Sequence, residues 1–380
     1  MLMLGKELNV IAFDVPSPPN YGGVVDIYYK LQALHQQGIN IHLHCYQYGR
    51  SSAPDLKKLC KTVTYYPRRT FRNPFYGKLP YIVATRNSTA MIENLNKNDF
   101  PILFEGLHCC YYLNHETLKN RLKIVRTHNI EHDYYKNLEL VEDSFFKKYF
   151  FRLESERLKK FENNLKHANV VAAISPNDLK YFKKHYKNAI YLPAFHPNNE
   201  VSIQAGKGKY LLYHGNLGVG ENEEAAMFLI KNVFSQLDYP AIIAGNNASL
   251  NLKREIENYP NITLNDKAKS SQILSLIKNA HINVLPTFQS TGIKLKLINS
   301  LFIGRHCLAN DKMVKNTGLE PLCVVANKPA DFIKTIQQLW DKEFTAEDIA
   351  EREQVLMKQF SNQENIKLLT EVFEEEVIQP

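Results

Sequence analysis

The residues of this chain that are best suited to chemistry lie in four short segments, each of which directly follows an apolar run. The four are 18–23 (PPNYGG), 126–133 (RTHNIEHD), 214–222 (HGNLGVGEN) and 286–299 (PTFQSTGIKLKLIN). Glycine lets a ligand approach backbone N–H groups, histidine exchanges protons near neutral pH, and lysine attracts anions. The four segments therefore predict sites for a ligand that carries phosphate and hydroxyl groups.

His128 is the first residue after a strand predicted over 123–127. At that position its imidazole can donate a hydrogen bond to a substrate hydroxyl or accept one from it. A metal site is the alternative, because His128, Glu131 and His132 follow the spacing i, i+3, i+4. Without further ligands this spacing is a weak zinc signal, so we expect no metal.

Two turns that contain glycine could hold phosphate oxygens. Gly22 and Gly23 open a predicted helix, and Gly215 and Asn216 lie in a turn between a strand and a helix. For the first pair, an ordinary tight turn is an equally good interpretation. Neither turn has the G-x-G-x-x-G pattern of dinucleotide sites, and the chain has no G-x-x-x-x-G-K-[ST] phosphate loop.

Lys294 and Lys296 lie just inside the start of a helix predicted over 294–303. The positive end of the helix dipole disfavours cations there, and a bound anion such as a diphosphate would remove that conflict. The alternative is that both are solvated surface lysines.

The strands that place these segments alternate with helices in both halves of the chain. This order predicts parallel sheets covered by helices. The predicted strands are 8–14, 39–46, 102–105, 123–127 and 170–174 in the first half, and 210–214, 241–244, 262–264, 282–285, 307–309 and 323–325 in the second. Ser175, followed by a proline and by Asp178, predicts a capped helix start. Ligands of open parallel sheets bind where the strands end, which is where the four segments lie.

Length and composition are typical of two globular domains. The chain has 380 residues, of which 44% are hydrophobic and 23% charged, and this excludes a disordered or small disulfide-stapled protein. Its net charge of +8 favours anionic partners. Six cysteines without C-x-x-C spacing predict reduced thiols, and no apolar run approaches the length of a membrane span. The Pro-, Asn- and Gly-rich stretch 193–208 predicts a linker between the domains.

Six segments share motifs, in order, with one known family. They are 18–23, similar to P-P-x-x-G-G; 124–129 (IVRTHN), similar to a strand that ends in an active-site histidine; 168–175 (ANVVAAIS), similar to A-D-x-V-x-x-x-S; 212–217 (LYHGNL), similar to a strand with G-R-L; 280–286 (AHINVLP), similar to A-D-x-x-x-x-P; and 292–304, similar to G-x-x-x-K-x-x-E-A-x-A-x-G. Over nearly its whole length the chain thus resembles the retaining nucleotide-sugar glycosyltransferases of GT-B fold, which include bacterial mannosyl- and glucosyltransferases.

The resemblance implies an α/β fold of two Rossmann-like parallel-sheet domains that face each other across a cleft. It implies an acceptor-binding domain at 1–197, a nucleotide-sugar-binding domain at 198–356 and a C-terminal helix at 357–380 that crosses back to the first domain. His128 would contact the transferred sugar, while Lys294 and Lys296 would stabilise the leaving diphosphate. The donor-binding residues that it implies are Gly22, Gly23, Gly215, Asn216, Thr291, Gly292, Ile293 and Asn299. The co-substrate is a nucleotide diphosphate sugar, and no other cofactor and no metal is implied.

Three positions depart from the family pattern. Asn216 stands where an arginine is usual, Glu221 lies near the place of an expected lysine, and Asn299 replaces the glutamate that binds the nucleotide ribose. Asparagine can still bind a ribose hydroxyl, although without the strength of a charge-assisted hydrogen bond. A second interpretation therefore stays open: a non-catalytic GT-B module that binds a glycan or partners an active transferase.

Two segments, 65–81 (YYPRRTFRNPFYGKLPY) and 145–160 (FFKKYFFRLESERLKK), mix cations with aromatic residues. This mixture suits an anionic membrane interface. The alternative is that the aromatic side chains belong to the core or to an acceptor pocket and the cations to a solvated rim. We expect a cytoplasmic protein of cell-surface polysaccharide or glycoconjugate synthesis with a glycan or lipid-linked acceptor, and peripheral contact with the inner membrane face stays open. Nucleic acid is not expected, because no binding motif accompanies the charge.

Overall fold

The computed structural model of the chain describes residues 5–71, 73–288, 294–315 and 317–378. These residues form two compact units. Unit 1 runs to Phe195 and also takes in the C-terminal segment that begins at Asn362. Unit 2 begins at His196 and ends at Ser361.

Unit 1 contains a seven-stranded sheet in which all neighbouring strands are parallel. Its strands are β1 (Glu7–Ala12), β2 (Asn40–Gln47), β3 (Thr62–Pro67), β4 (Ile102–Glu105), β5 (Lys123–Thr127), β6 (Val170–Ala173) and β7 (Ala189–Tyr191), in the order β3-β2-β1-β4-β5-β6-β7 across the sheet. Its first helices are α1 (Gly22–Gln36), α2 (Tyr81–Ala84), α3 (Thr89–Leu95), α4 (Glu131–Val141), α5 (Phe145–Phe161) and α6 (Pro176–His185). Short 3₁₀ helices lie at Pro54–Lys58, Leu107–Tyr112, Glu116–Leu118 and Glu162–His167.

Unit 2 contains a six-stranded parallel sheet of similar design. Its strands are β8 (Leu211–Asn216), β9 (Ala241–Asn246), β10 (Ile262–Asp266), β11 (Ile282–Leu285), β12 (His306–Ala309) and β13 (Val324–Val325), in the order β10-β9-β8-β11-β12-β13. Its helices are α7 (Gly220–Asn232), α8 (Leu250–Ile256), α9 (Ser270–Asn279), α10 (Leu295–Ile303), α11 (Asp311–Val314), α12 (Pro329–Trp340) and α13 (Ala346–Gln359), with 3₁₀ turns at Phe234–Gln236 and Glu320–Leu322.

The last helix, α14 (Asn362–Ile378), packs against α1 of unit 1. Its apolar residues, among them Ile366 and Leu369, join the core on one face of the first sheet. Alternate residues of β1 enter opposite cores, Val10 one and Ile11 the other, because successive side chains of a strand point to opposite faces. Both faces of this sheet are therefore buried.

The two parallel sheets predicted from the sequence are confirmed, and so is the helix start at Ser175, whose Oγ accepts a hydrogen bond from the N–H of Asp178 at 3.1 Å. Strands β3 and β7 were not predicted. The prediction that Lys294 lies inside its helix is wrong, since it is the N-cap residue before Leu295. All six cysteines are free thiols. No helix in the described ranges is both long and apolar enough to cross a membrane.

The order of the strands fixes where ligands can enter each sheet. In unit 1, β1 lies between β2 and β4, and in unit 2, β8 lies between β9 and β11. After β1 and β4, and likewise after β8 and β11, the connections run in opposite directions along the sheet. This opens a crevice at the carboxyl ends of these neighbouring strands. Functional groups are therefore expected after β1, β4 and β5 in unit 1, and after β8 and β11 in unit 2.

Candidate functional site

A buried network of charged side chains lies below the carboxyl ends of β4 and β5. Lys30 of α1 donates hydrogen bonds through Nζ to both carboxylate oxygens of Glu105 (2.8 and 2.9 Å) and to Oδ2 of Asp26 (2.9 Å). Arg126 of β5 donates to both oxygens of Asp26, at 3.1 and 3.2 Å. These four side chains are almost completely inaccessible to solvent. Burial opposes ionisation of the carboxyls, but the charges of Arg126 and Lys30 outweigh it and hold the pKa of Asp26 below its usual range.

The same network holds His128 in place. Nε2 of His128 lies 3.1 Å from Oε2 of Glu105, and its ring packs edge-on against Phe13 with 5.5 Å between centroids. His128 is only 4% exposed. Its Nδ1 is buried, has no hydrogen-bond partner among the described residues and lies 3.9 Å from Oδ2 of Asp26. Contact between His128 and a sugar stays a prediction.

Asp26 and Arg126 also bind the chain segment that ends unit 1. Oδ1 of Asp26 accepts a hydrogen bond from the N–H of Phe195 at 2.8 Å. Arg126 donates to the carbonyl oxygens of Leu192 and Pro193. The network therefore anchors residues 192–195, directly before the start of unit 2.

The buried network does not suit a metal ion. Within the part of the chain that the structure describes, the one group of three metal-ligating side chains whose atoms come within 4.8 Å of one another is Asp26, Glu105 and His128. Lys30 and Arg126 already donate to these carboxylates, so two cationic groups occupy the positions that a metal would take. The H-x-x-E-H spacing does not build a site either, because His132 lies 3.2 Å from Glu162 instead.

Two further buried groups lie beside His128: His108, which was missed in the sequence, and Glu131, which was considered there only as a metal ligand. Oε1 of Glu131 and Nδ1 of His108 have no hydrogen-bond partner within the described ranges, and Oε2 of Glu131 lies 3.9 Å from Nε2 of His108. Burial raises the pKa of Glu131 to about 8, so its carboxyl is mostly protonated at neutral pH. Gly106 has φ +84°, and a Cβ there would lie 2.8 Å from Nδ1 of His108. His108 could have been found in the sequence, because it comes shortly after β4, at the sheet edge where ligands are expected.

Gly23, the second glycine of the pair after β1, has a packing role. A Cβ on Gly23 would lie 2.6 Å from Cζ of Phe13, so this position requires glycine to let α1 approach the end of β1. Before it, Tyr21 is the N-cap of α1 and donates from its hydroxyl to Oδ2 of Asp14 at 3.1 Å. A ligand contact by Gly22 or Gly23 stays a prediction.

In unit 2, Gly215 and Asn216 form the end of β8 and the turn that enters α7. The backbone oxygen of Asn216 accepts a hydrogen bond from Nδ2 of Asn222 at 3.0 Å, and its side-chain Oδ1 accepts one from the N–H of Gly218 at 3.2 Å. A Cβ on Gly215 would lie 3.0 Å from Cγ of Asn222. Asn222, in the first turn of α7, therefore holds the loop between β8 and α7 in place.

Lys296 reaches back from α10 to the same turn. Its Nζ donates to Oδ1 of Asn222 at 2.6 Å and lies 5.3 Å from the ring centre of Tyr213. Burial lowers the pKa of Lys296 to about 8 and also lowers that of Lys294. Both lysines are half-buried, so neither is fully solvated, and their contact with a diphosphate stays a prediction. Thr291, Gly292 and Ile293, which precede these lysines, lie outside the described residues.

Glu221 lies between the two loops that follow β8 and β11. Its carboxylate accepts a hydrogen bond from the hydroxyl of Thr287, and Thr287 is fixed by hydrogen bonds between its backbone and the side chain of Asn310 (2.7 and 3.1 Å). The negative charge of Glu221 raises the pKa of Lys294 and Lys296 and so offsets part of the effect of burial. The loops after β8 and β11 thus bring Glu221 close to both lysines.

Asn299, one turn further along α10, is engaged inside unit 2. Its Oδ1 accepts a hydrogen bond from Nδ2 of Asn198 at 2.8 Å. Contact with a ribose stays a prediction for this residue.

No protein-family model matches the chain. One curated relative, an uncharacterized 44.6 kDa protein in the cps region of Klebsiella pneumoniae, is 26% identical over 353 residues, which are 87% of this chain and 90% of the relative.

Similar solved structures cover both units. A point mutant of S. aureus TarM, in complex with fondaparinux, α-GlcNAc-glycerol and UDP, has 11% identity and a TM-score of 0.68 over 97% of this chain and 99% of TarM. Anabaena HepE, in complex with UDP and glucose, has 9% identity and a TM-score of 0.62 over 97% and 99% of the chains. The lipopolysaccharide outer core galactosyltransferase WaaB has 12% identity and a TM-score of 0.60 over 95% and 98%. With its two parallel sheets of seven and six strands, the chain has the fold of the GT-B glycosyltransferases.

Proposed function

We propose that this protein is a glycosyltransferase that moves a sugar from a nucleotide diphosphate sugar to a glycan or lipid-linked acceptor. One observation carries the proposal: Lys294 and Lys296 are both half-buried at the start of α10, in a unit of GT-B fold. Two half-buried ammonium groups close together suit an anionic ligand, as the lysine of a phosphate-binding loop does. A diphosphate is such a ligand.

The residues divide the work between the two units. Lys294 and Lys296 neutralise the charge that develops on the departing diphosphate, with the N-terminal end of α10 adding its backbone dipole. His128 contacts the transferred sugar, and its ring is held by Glu105 at Nε2 and faces Asp26 at Nδ1. The neutral carboxyl of Glu131 can donate a hydrogen bond to a hydroxyl of the acceptor or the sugar. No metal takes part, and the stereochemical outcome that we propose is retention.

The comparisons support this proposal. The structures of TarM and HepE each contain UDP, and WaaB is named as a galactosyltransferase. The Klebsiella relative is encoded in a cps region, which supports an acceptor from cell-surface polysaccharide synthesis.

The test is an assay of the purified protein with a panel of nucleotide sugars, in which release of the nucleoside diphosphate is measured with and without acceptor glycans. We expect one donor to be hydrolysed slowly. Lys296→Ala should lower that turnover about a hundredfold, or about 3 kcal/mol, the usual effect of one preorganised electrostatic contact. Lys231→Ala, on the exposed end of α7, is the matched control and should leave the rate unchanged.

A non-catalytic GT-B module is the second candidate, because asparagine and glutamate stand at three positions where the resembled family has arginine, lysine and glutamate. The observation that favours it is Asn299, which is already bonded to Asn198. In the same assay this module would bind a nucleoside diphosphate or a glycan without turning over any donor. Unchanged turnover in both Lys294→Ala and Lys296→Ala would contradict the assigned role of the lysines.

A further inference from the structure

Helices α4 and α5 pack against each other and are joined by only three residues, and large apolar side chains are exposed at this tip. Phe145 and Phe146, at the start of α5, are 78% and 76% exposed, and Tyr149 one turn later is 53% exposed. Leu140 and Val141, at the end of α4, are exposed as well. So many large apolar side chains exposed in one place mark an interaction surface.

The loop after β3 extends this surface. The ring of Phe75 stacks on Tyr149 with 5.8 Å between centroids, and Arg157 of α5 donates to the carbonyl oxygens of Pro74 (2.7 Å) and Phe75 (2.9 Å). Tyr76, on the loop held by these contacts, is 87% exposed. We call the exposed set the aromatic surface: Phe75, Tyr76, Leu79, Leu140, Val141, Phe145, Phe146 and Tyr149. Of the alternatives given for the aromatic residues of these segments, a place in the core is wrong for Phe75, Tyr76, Phe145, Phe146 and Tyr149, and a place in an acceptor pocket stays a prediction.

Cations dominate the segments that carry the aromatic surface. Residues 65–81 and 136–160 hold eleven Lys and Arg against five Asp and Glu, so most of the net charge of +8 comes from them. Lys147 and Lys148 directly follow the two exposed phenylalanines and are exposed themselves. One acid at the tip, Glu142, is occupied: it accepts a hydrogen bond from the N–H of Ser144 (3.0 Å) and lies 3.9 Å from Nζ of Lys147.

We propose that the aromatic surface docks unit 1 onto an anionic lipid surface. Aromatic rings favour the boundary between headgroups and acyl chains, and lysines close to that boundary gain from anionic headgroups. A second copy of this chain fits less well, because a two-fold dimer through the same surface would set its excess of cations against an identical excess. Beside the loop, Tyr76, Lys78 and Tyr81 line a cavity of about 360 Å³, so the surface also offers concave space beside a cation.

The docking does not require the transfer reaction. Its consequence for the acceptor rests on the proposed function: a transferase held on a lipid surface would meet a lipid-linked acceptor there. Failure to bind vesicles would remove the docking and leave donor turnover untouched, whereas absence of donor turnover would leave the vesicle result standing. The two proposals can therefore fail separately.

The experiment is co-sedimentation of the full chain with vesicles of phosphatidylglycerol or of phosphatidylcholine, at low and at high salt. We expect binding to the anionic vesicles at low salt, weaker binding at high salt, and little binding to the neutral vesicles. The double variant Phe145→Ser/Phe146→Ser should weaken binding at least about tenfold. Leu250→Ser, at a position 72% exposed on α8 of unit 2, is the matched apolar control and should bind as the wild type does.

Charge reversal tests the contribution of the lysines beside the aromatic surface. Lys147→Glu/Lys148→Glu should abolish most binding to phosphatidylglycerol, while Lys183→Glu/Lys184→Glu, an exposed pair on α6, should change it far less. Circular dichroism and the midpoint of thermal unfolding verify that each variant folds, which exposed positions should permit. Equal binding to both vesicle types, or unchanged binding in the phenylalanine variant, would overturn the proposal. So would a dimer in solution that only the phenylalanine variant dissociates, since the surface would then serve a second copy.

Discussion

Nζ of Lys30 lies 2.8 Å from Oε1 of Glu105, and both side chains are almost completely buried, although 75 residues separate them in the chain. This ion pair joins α1 to the end of β4, directly below the ring of His128. The arrangement holds a histidine at a strand end by means of charges rather than apolar packing alone. Its energetic consequence can be measured.

Replacing Lys30 with methionine keeps the length of the side chain and removes its charge. Among the described residues Glu105 then keeps only His128 as a partner, and a buried carboxylate that loses its cation is expected to cost about 3–5 kcal/mol in the free energy of unfolding. Urea denaturation measures the loss. Lys253→Met is the matched control, because its pair with Asp266 at 2.8 Å is partly exposed and should contribute about 1 kcal/mol or less. Equal losses in the two variants would contradict the role given to burial.

His128→Ala should abolish transfer because it removes the ring that we propose to contact the sugar. Because His128 is buried against Phe13 and Glu105, the variant should also lose about 1–3 kcal/mol in the free energy of unfolding. Chelators should not change the activity of the wild type, since Lys30 and Arg126 already pair with the carboxylates near His128. A stoichiometric metal found by elemental analysis would contradict this prediction.

Binding of a diphosphate should take up a proton near pH 8. In the free protein burial lowers the pKa of Lys296 to about 8, and a bound diphosphate raises it again by its negative charge. Affinity should therefore be full below about pH 8 and fall as the pH rises above it. Calorimetry with UDP or inorganic pyrophosphate, in two buffers of different ionisation enthalpy, measures the proton uptake.

Glu221→Gln supplies the matching variant. Because the charge of Glu221 raises the pKa of Lys296, its removal should move the fall in affinity to lower pH. Glu224→Gln, on the same helix, is a control that should leave the pH profile in place. If diphosphate binding in the wild type shows no proton uptake, Lys296 does not contact the ligand.

The stability of unit 1 should depend on pH through Glu131. Burial raises the pKa of Glu131 to about 8 from an ordinary 4.5, so the folded chain holds a proton that the unfolded chain releases. This contribution is complete below about pH 4.5 and is lost as the pH rises through about 8, at about 1.4 kcal/mol for each pH unit in between. Glu131→Gln does not titrate there.

Thermal unfolding of Glu131→Gln and the wild type is compared from about pH 6 to about pH 8. As the pH rises, the stability of the variant should increase steadily relative to that of the wild type. Glu116→Gln, at an exposed position, controls for the pH dependence of the other groups. A constant difference between Glu131→Gln and the wild type would mean that Glu131 is ionised in the folded protein.

Local patterns in the sequence predicted the elements that depend on neighbouring residues. Runs of apolar residues mark the buried strands, and Ser175 before a proline marks the start of α6, because a cap needs only the next three residues. Strand β3 escaped this approach, since its residues are half-buried and were interpreted as part of a basic and aromatic segment. β7 is only three residues long, too short for a clear period.

The sequence by itself determined the succession of strands and helices, and hence two parallel sheets with glycines, His128 and lysines at their strand ends. Only the tertiary structure decided which groups are paired: Asp26 with Arg126 across 100 residues, and Lys296 with Asn222 across 74. It also decided which aromatic side chains are exposed, as Phe145 is and Tyr66 is not. The physical reason is that burial and pairing depend on segments that are far apart in the chain, whereas strand and helix patterns depend on residues within one or two turns.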